Sequence, residues 1–213
     1  MTGATRFAAI AQVRAYWEGL RRGNDLPLRS AIDPRGIEGA LEQAFLLERI
    51  APGLARFRLA GMTLSDLMGM DVRGMPLSAM LDPSARLRLA SVLEQVFREP
   101  AALDLSLEAD RGIGRPALEG RMLIMPVRGD SGAELALGCL ATEGLVGRSP
   151  RRFHIARALL EPLAPASPSG PVALPRQPVA GLADPPRLFL RRTDPPPPRT
   201  TGRAHLRLVR PDE

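Results

Sequence analysis

RFRLAGMTLSDLMGMDVRGMPLSAML, residues 56–81, is the stretch whose reading decides the fold. It opens as a short strand, Arg56 to Ala60, with Phe57 and Leu59 expected on one face and Arg56 and Arg58 on the other. Gly61 interrupts it, a scrap of helix follows from Thr63 to Leu67, and Gly69 and Gly74 bracket a turn before Pro76. Helical period gives way to loop within a few residues. None of these pieces can bury its apolar side alone, so the rest of the chain must supply what they pack against.

Immediately upstream, Ala44 to Ile50 (AFLLERI) reads as a strand, and Pro52-Gly53 is a turn dipeptide that makes a hairpin with residues 56–60 the economical reading. Glu48 then stands across from an arginine of the partner strand. Before the hairpin, Asp33-Pro34 is a helix start, aspartate as cap and proline in the first turn, and the helix should run to about Gln43. Leu26-Pro27-Leu28-Arg29 is extended. Phe7, Ile10, Val13, Trp17 and Leu20 recur at three- and four-residue steps, which predicts an amphipathic N-terminal helix stopped at Gly23-Asn24. In a chain with one tryptophan and one tyrosine, Tyr16-Trp17 is the natural anchor of that helix. The alternative is a helix-mediated dimer contact.

Downstream, Asp82-Pro83 starts a helix whose stripe is Leu89, Leu93, Val96 and Phe97 and which Pro100 ends. Leu103, Leu105 and Leu107 alternate with Asp104, Ser106 and Glu108 as a half-buried strand. Ala117 to Val127 and Leu135 to Thr142 are two more strands, separated by Gly-containing turns at 111–114 and 128–132. Pro150 to Leu160 reads as a last short helix through Phe153, Ile155, Ala156, Leu159 and Leu160. Beyond it, residues 162–213 hold 13 prolines, four of them consecutive at 195–198. Such a composition reads as a disordered tail with polyproline-II stretches. Two apolar islands interrupt it, residues 187–190 and 205–209. The second, HLRLV, alternates at strand period, so His205, Leu206 and Leu208 are candidates for a docking motif.

Composition bounds the rest. The 213 residues are 45% apolar but only 4% aromatic, enough for one domain with appendages packed mainly by Leu, Ala, Met and Val. All 29 basic residues are arginine, and the net charge of +6 is uneven. Residues 1–161 carry 21 Arg against 19 acids, whereas residues 162–213 carry 8 against 4. Arginines interleaved with acids argue for a solvated mixed surface over a nucleic-acid face, leaving an Arg-rich tail that binds nucleic acid or another anionic surface as the alternative. A single cysteine, Cys139, excludes an internal disulfide and a Cys-rich metal site. No apolar run reaches the ~18 to 20 residues of a membrane span, and residues 1–13 do not make a signal peptide, so a cytoplasmic protein is expected.

Nothing in the residues points to an enzyme. His154 and His205 belong to no HExxH spacing, and there is no GxSxG elbow, no GxGxxG opening a helix and no GxxxxGK[ST] loop. Cys139 sits in an apolar strand, where a cysteine is an inert small hydrophobe.

The strand, Gly-Met-Thr turn and Leu-Met-Gly-Met-Asp-Val-Arg-Gly-Met-Pro-Leu run of residues 56–77 resemble the early core of a PAS domain, the bacterial sensor module. Tyr16-Trp17-Glu18 and Leu26-Pro27-Leu28-Arg29-Ser30-Ala31-Ile32-Asp33-Pro34 are similar to the N-terminal part of short cytoplasmic PAS proteins. The resemblance implies an α+β fold: a five-stranded antiparallel sheet in the order 2-1-5-4-3, flanked by short helices. The boundaries expected are an N-terminal helix over 1–25, the PAS-like domain over 26–148, a short helix over 149–161 and the tail over 162–213.

It also implies a regulatory or sensor protein that acts on a protein partner such as a signalling protein, under control of an unidentified small ligand, with a homodimer or a purely structural dimerisation module as variants. Neither the axial histidine of haem-binding members nor the cysteine motif of flavin-binding members is present, so no familiar cofactor is expected. Candidate pocket or core residues are Phe57, Leu59, Leu93, Phe97, Met122, Ile124 and Cys139. Candidate interaction residues, besides those of the tail, are Tyr16, Trp17, Arg29 and Asp33.

Overall fold

A computed structural model of the chain describes residues 6–23 and 25–163. The proposed docking motif at His205, Leu206 and Leu208 and the tail beyond Leu163 lie outside the described residues, while Pro162, where the tail was expected to begin, still belongs to the last strand.

Helix α1 (Ala8–Leu20) forms where the apolar stripe was expected and buries Ile10, Val13 and Trp17. A 3-10 segment, Pro34–Gln43, follows; the Asp33 carboxylate caps it by accepting from the Arg35 amide at 3.0 Å. Strands β1 (Ala44–Ala51) and β2 (Leu54–Ala60) form the hairpin, and Glu48 lies opposite Arg56 and pairs with it at 2.9 Å. Helix α2 (Met62–Met68) and helix α3 (Arg86–Arg98) lead to β3 (Ala101–Ala109), β4 (Leu118–Arg128), β5 (Glu134–Gly144) and β6 (Phe153–Pro162).

All strand pairs are antiparallel, in the order β2-β1-β5-β4-β3-β6. The fold is therefore α+β as expected, and the 2-1-5-4-3 order is present, but the sheet has six strands, not five. The sixth is the segment read from sequence as a helix over 149–161. Just before the strand, the Ser149 hydroxyl donates to the Asp66 carbonyl at 2.6 Å. Phe153 and Ile155 are buried while His154 and Ala156 are exposed, which is strand period. What decides the matter is β3, whose outer edge would otherwise stand open beside the fully buried Leu103 and Leu105; β6 pairs along its whole length.

The sheet separates two apolar layers. On the inner face Phe45, Leu47, Phe57, Met122 and Ile124 pack under α2 and α3. On the outer face α1 lies over Leu123, Met125, Leu137 and Cys139. Trp17 joins helix to sheet by donating its indole N–H to the Pro126 carbonyl at 3.1 Å. Gly138, opposite Phe45 across β5 and β1, lets the ring lie on the strand, because a Cβ there would stand 2.2 Å from the ring carbons. Gly61 is equally constrained, since its Cβ would meet the Glu42 carbonyl at 2.2 Å.

One expectation about faces is overturned. A register shift between Leu46 and Leu47 places Leu59 opposite Leu46 but Phe57 opposite Leu47, so Arg58 is the extra residue of a bulge. Phe57 remains buried on the inner face, whereas Leu59 turns to the outer one and is 49% exposed.

Candidate functional site

The outer layer is incomplete. Helix α1 covers β4 and β5 and leaves the outer face of the β1–β2 hairpin uncovered. The uncovered part is a groove of about 610 Å³ between that hairpin, the Pro34–Gln43 segment and the start of α2. Ile32, Ile37, Leu41, Leu46, Leu59 and Met62 give it mainly apolar walls, with Arg29, Asp71 and Arg73 as its charged groups. A second lobe of about 590 Å³ continues past Arg29, Leu46 and Leu59 towards the Gly129–Ser131 turn.

Two devices place these side chains. The bulge at Arg58 aims Leu59 into the groove. Tyr16 holds the opposite wall: its hydroxyl accepts from the Asp33 amide at 2.7 Å and donates to the Asp33 carbonyl at 3.0 Å, fastening the capped segment to α1. The charges of the groove are unequal. Arg73 and Asp71 neutralise each other, the guanidinium nitrogen lying 2.8 Å from the carboxylate. Hydrogen bonds from the Arg73 side chain and then its backbone amide hold the Asp71 carboxyl below its usual range. Arg29 borders both lobes, and among the described residues no acid stands within ion-pair distance of it. The first lobe is therefore a largely apolar trough bordered by Arg29, while the second also carries Asp130, whose carboxylate accepts from the Ser30 hydroxyl at 2.7 Å.

The sequence-derived candidates are dispersed by the fold. Phe57, Leu93, Met122 and Ile124 are buried together in the inner layer, with Phe97 packed at its margin under Arg49. Cys139 is buried on the other side of the sheet, and burial alone pushes its thiol up to about 12. Only Leu59 of that set lines the groove. Among the interaction candidates, Trp17 is an interior anchor, Tyr16 and Asp33 hold the wall, and Arg29 enters the groove itself. Ile32, Ile37, Leu41 and Met62 were not singled out by sequence, since no local periodicity marks a residue that becomes a groove wall by tertiary approach. Among the described residues no three His, Cys, Asp or Glu side chains gather as a metal ion would require. No helix among them is long and apolar enough to cross a membrane.

These features define an α+β scaffold of antiparallel strands with helices across one face and an N-terminal helix across the other. The family model of the PAS domain matches residues 5–141, and the chain belongs to the PAS domain family. PAS domains commonly act as sensor or signalling modules and are usually not catalytic. No curated protein matches the chain.

Proposed function

We propose that the chain is a regulatory PAS protein that acts by protein–protein contact, and that this contact responds to a small, largely apolar ligand carrying one anionic group in the outer groove. The observation that carries the reading is the groove itself, with apolar walls and the unpaired guanidinium of Arg29. Its volume falls in the range of about 300–1,000 Å³ typical of small-molecule sites. An alkyl chain against Leu59 and Leu41 loses water contact, and a carboxylate at Arg29 gains a charge-assisted hydrogen bond.

Decanoate serves as the probe. It should raise the melting temperature saturably in the wild-type protein, 1-decanol should do so less, Leu59→Asp should abolish both shifts, and Arg29→Gln should abolish the difference between them. Affinity capture from the native cell, with and without decanoate, reads the output: a set of captured proteins that the ligand does not alter defeats the sensor reading, and a melting temperature that decanoate leaves unmoved defeats the choice of ligand.

A further inference from the structure

The edge strand β6 lies beyond the residues that match the family. Its inner edge pairs with β3, and among the described residues its outer edge has no strand neighbour. The backbone direction along that edge can be followed from its hydrogen bonds. The carbonyl of Phe153 accepts from the Asp82 amide at 2.9 Å and that of Ile155 from Arg88 at 3.0 Å, so both point away from β3. The register shift at Ser106/Leu107 absorbs Ala156 and reverses the alternation. The Leu163 amide accordingly donates back to the Pro100 carbonyl at 2.9 Å, which places 157, 159 and 161 in the inward set. Ala158 and Leu160 are left with amides and carbonyls facing outward. Pro162, with no N–H to leave unsatisfied, takes the next outward position.

We propose that this edge is a homodimer interface, in which β6 of one copy pairs antiparallel with β6 of a second copy about a two-fold axis at Leu159. In that register Ala158 of each copy exchanges two hydrogen bonds with Leu160 of the other, Leu159 meets Leu159 at the axis, and Arg157 lies opposite Glu161 twice. A shift of two residues either way brings Leu159 opposite Arg157 or opposite Glu161. The arrangement centred on Leu159 is thus the one in which the strand is complementary to itself in charge and in apolarity. Leu159 is 49% exposed, and Glu161 has just over half of its side chain in solvent although it also reaches Arg14, so both are available to a second copy. Ala158 and Leu160 lean on the inner layer, which the pairing would extend across the axis. It would also cover an edge of the kind that natural proteins seldom leave open.

Sedimentation velocity on the full chain over a concentration series tests the proposal. Wild type should dimerise. Arg157→Glu and Glu161→Arg each create two like-charge oppositions and should raise the dissociation constant by roughly tenfold or more, while the double exchange R157E/E161R should restore it. Circular dichroism checks that each variant keeps its fold. Independently, Leu159→Cys oxidised with copper–phenanthroline should give a disulfide-linked dimer, Cys139 being buried and out of reach. A wild-type monomer at all concentrations, a double variant no tighter than the singles, or a Leu159→Cys protein that stays monomeric on oxidation would each overturn the assignment.

Discussion

Replacing Arg151 with methionine removes the one charged side chain that is fully buried among the described residues. Its guanidinium closes the loop end of the sheet. One terminal nitrogen donates to the Asp110 and Pro116 carbonyls, both at 2.8 Å, the other donates to the Val146 carbonyl, and Nε faces the Asp110 carboxylate at 3.4 Å. The backbone of the same residue donates to the Leu67 carbonyl at 2.8 Å, so the segment leading into β6 is tied to α2 as well.

Methionine fills much of the volume but leaves those carbonyls without donors. Asp110 itself is not orphaned, since Arg115 at 2.6 Å and the Arg152 amide at 3.1 Å still serve it. A buried acceptor stripped of its partner costs about 1–3 kcal/mol, and breaking a buried charged network about 3–5 kcal/mol. The expected loss is therefore about 3–5 kcal/mol, equivalent to a melting temperature lower by about 6–20 °C for a folded unit of this size. Arg151→Lys, which keeps the charge but not the planar fork, should fall between the two. Urea denaturation of the full chain, followed by circular dichroism, measures it. A loss below about 1 kcal/mol for the methionine variant, with an unchanged denaturant slope, would refute the claim that this guanidinium organises the loop end.

Two further expectations concern protons. Glu94 on α3 accepts from the Gly53 amide at 2.8 Å and from Arg49 at 2.7 Å, and these bonds, the Gly53 amide foremost, hold its carboxyl below the usual range. A depressed carboxyl contributes stability that is present above its unfolded pKa and lost as pH falls through the folded one. Glu94→Gln should therefore lower the urea midpoint at pH 7 and converge with wild type in acid below pH ~4; a gap independent of pH would contradict this. Cys139 has the opposite sign: its thiol is raised from 9.0 to about 12, so its contribution is complete below pH 9 and lost as pH rises towards 12. Folded protein should resist thiol reagents at pH 8 and react once unfolded in urea, and labelling at equal rates in the two states would show the residue to be accessible.

Residues 56–81 were legible because their signals are local. Gly61 and Gly69 bound α2, Asp82-Pro83 opens the approach to α3, and the alternation at Leu103, Leu105 and Leu107 is that of β3. The stripe of Phe7 to Leu20 likewise yielded α1 and the burial of Trp17. Where the reading failed, the deciding partner was distant. Residues 150–160 carry apolar positions that suit either period, but the open edge of β3 selects the strand.

Leu59 followed the alternation on paper and left it in the fold, because the bulge at Arg58 depends on how β2 meets β1. The groove was illegible for the same reason, being assembled from chain segments on three different elements. By itself the sequence marked α1, α3 and the first five strands, since side-chain period and capping act within a few residues, and its resemblance to the PAS family implied the order of those strands. Only the tertiary structure decided the sixth strand, the face Leu59 takes and the position of the groove, since backbone hydrogen bonds must be satisfied by whichever strand edge comes near.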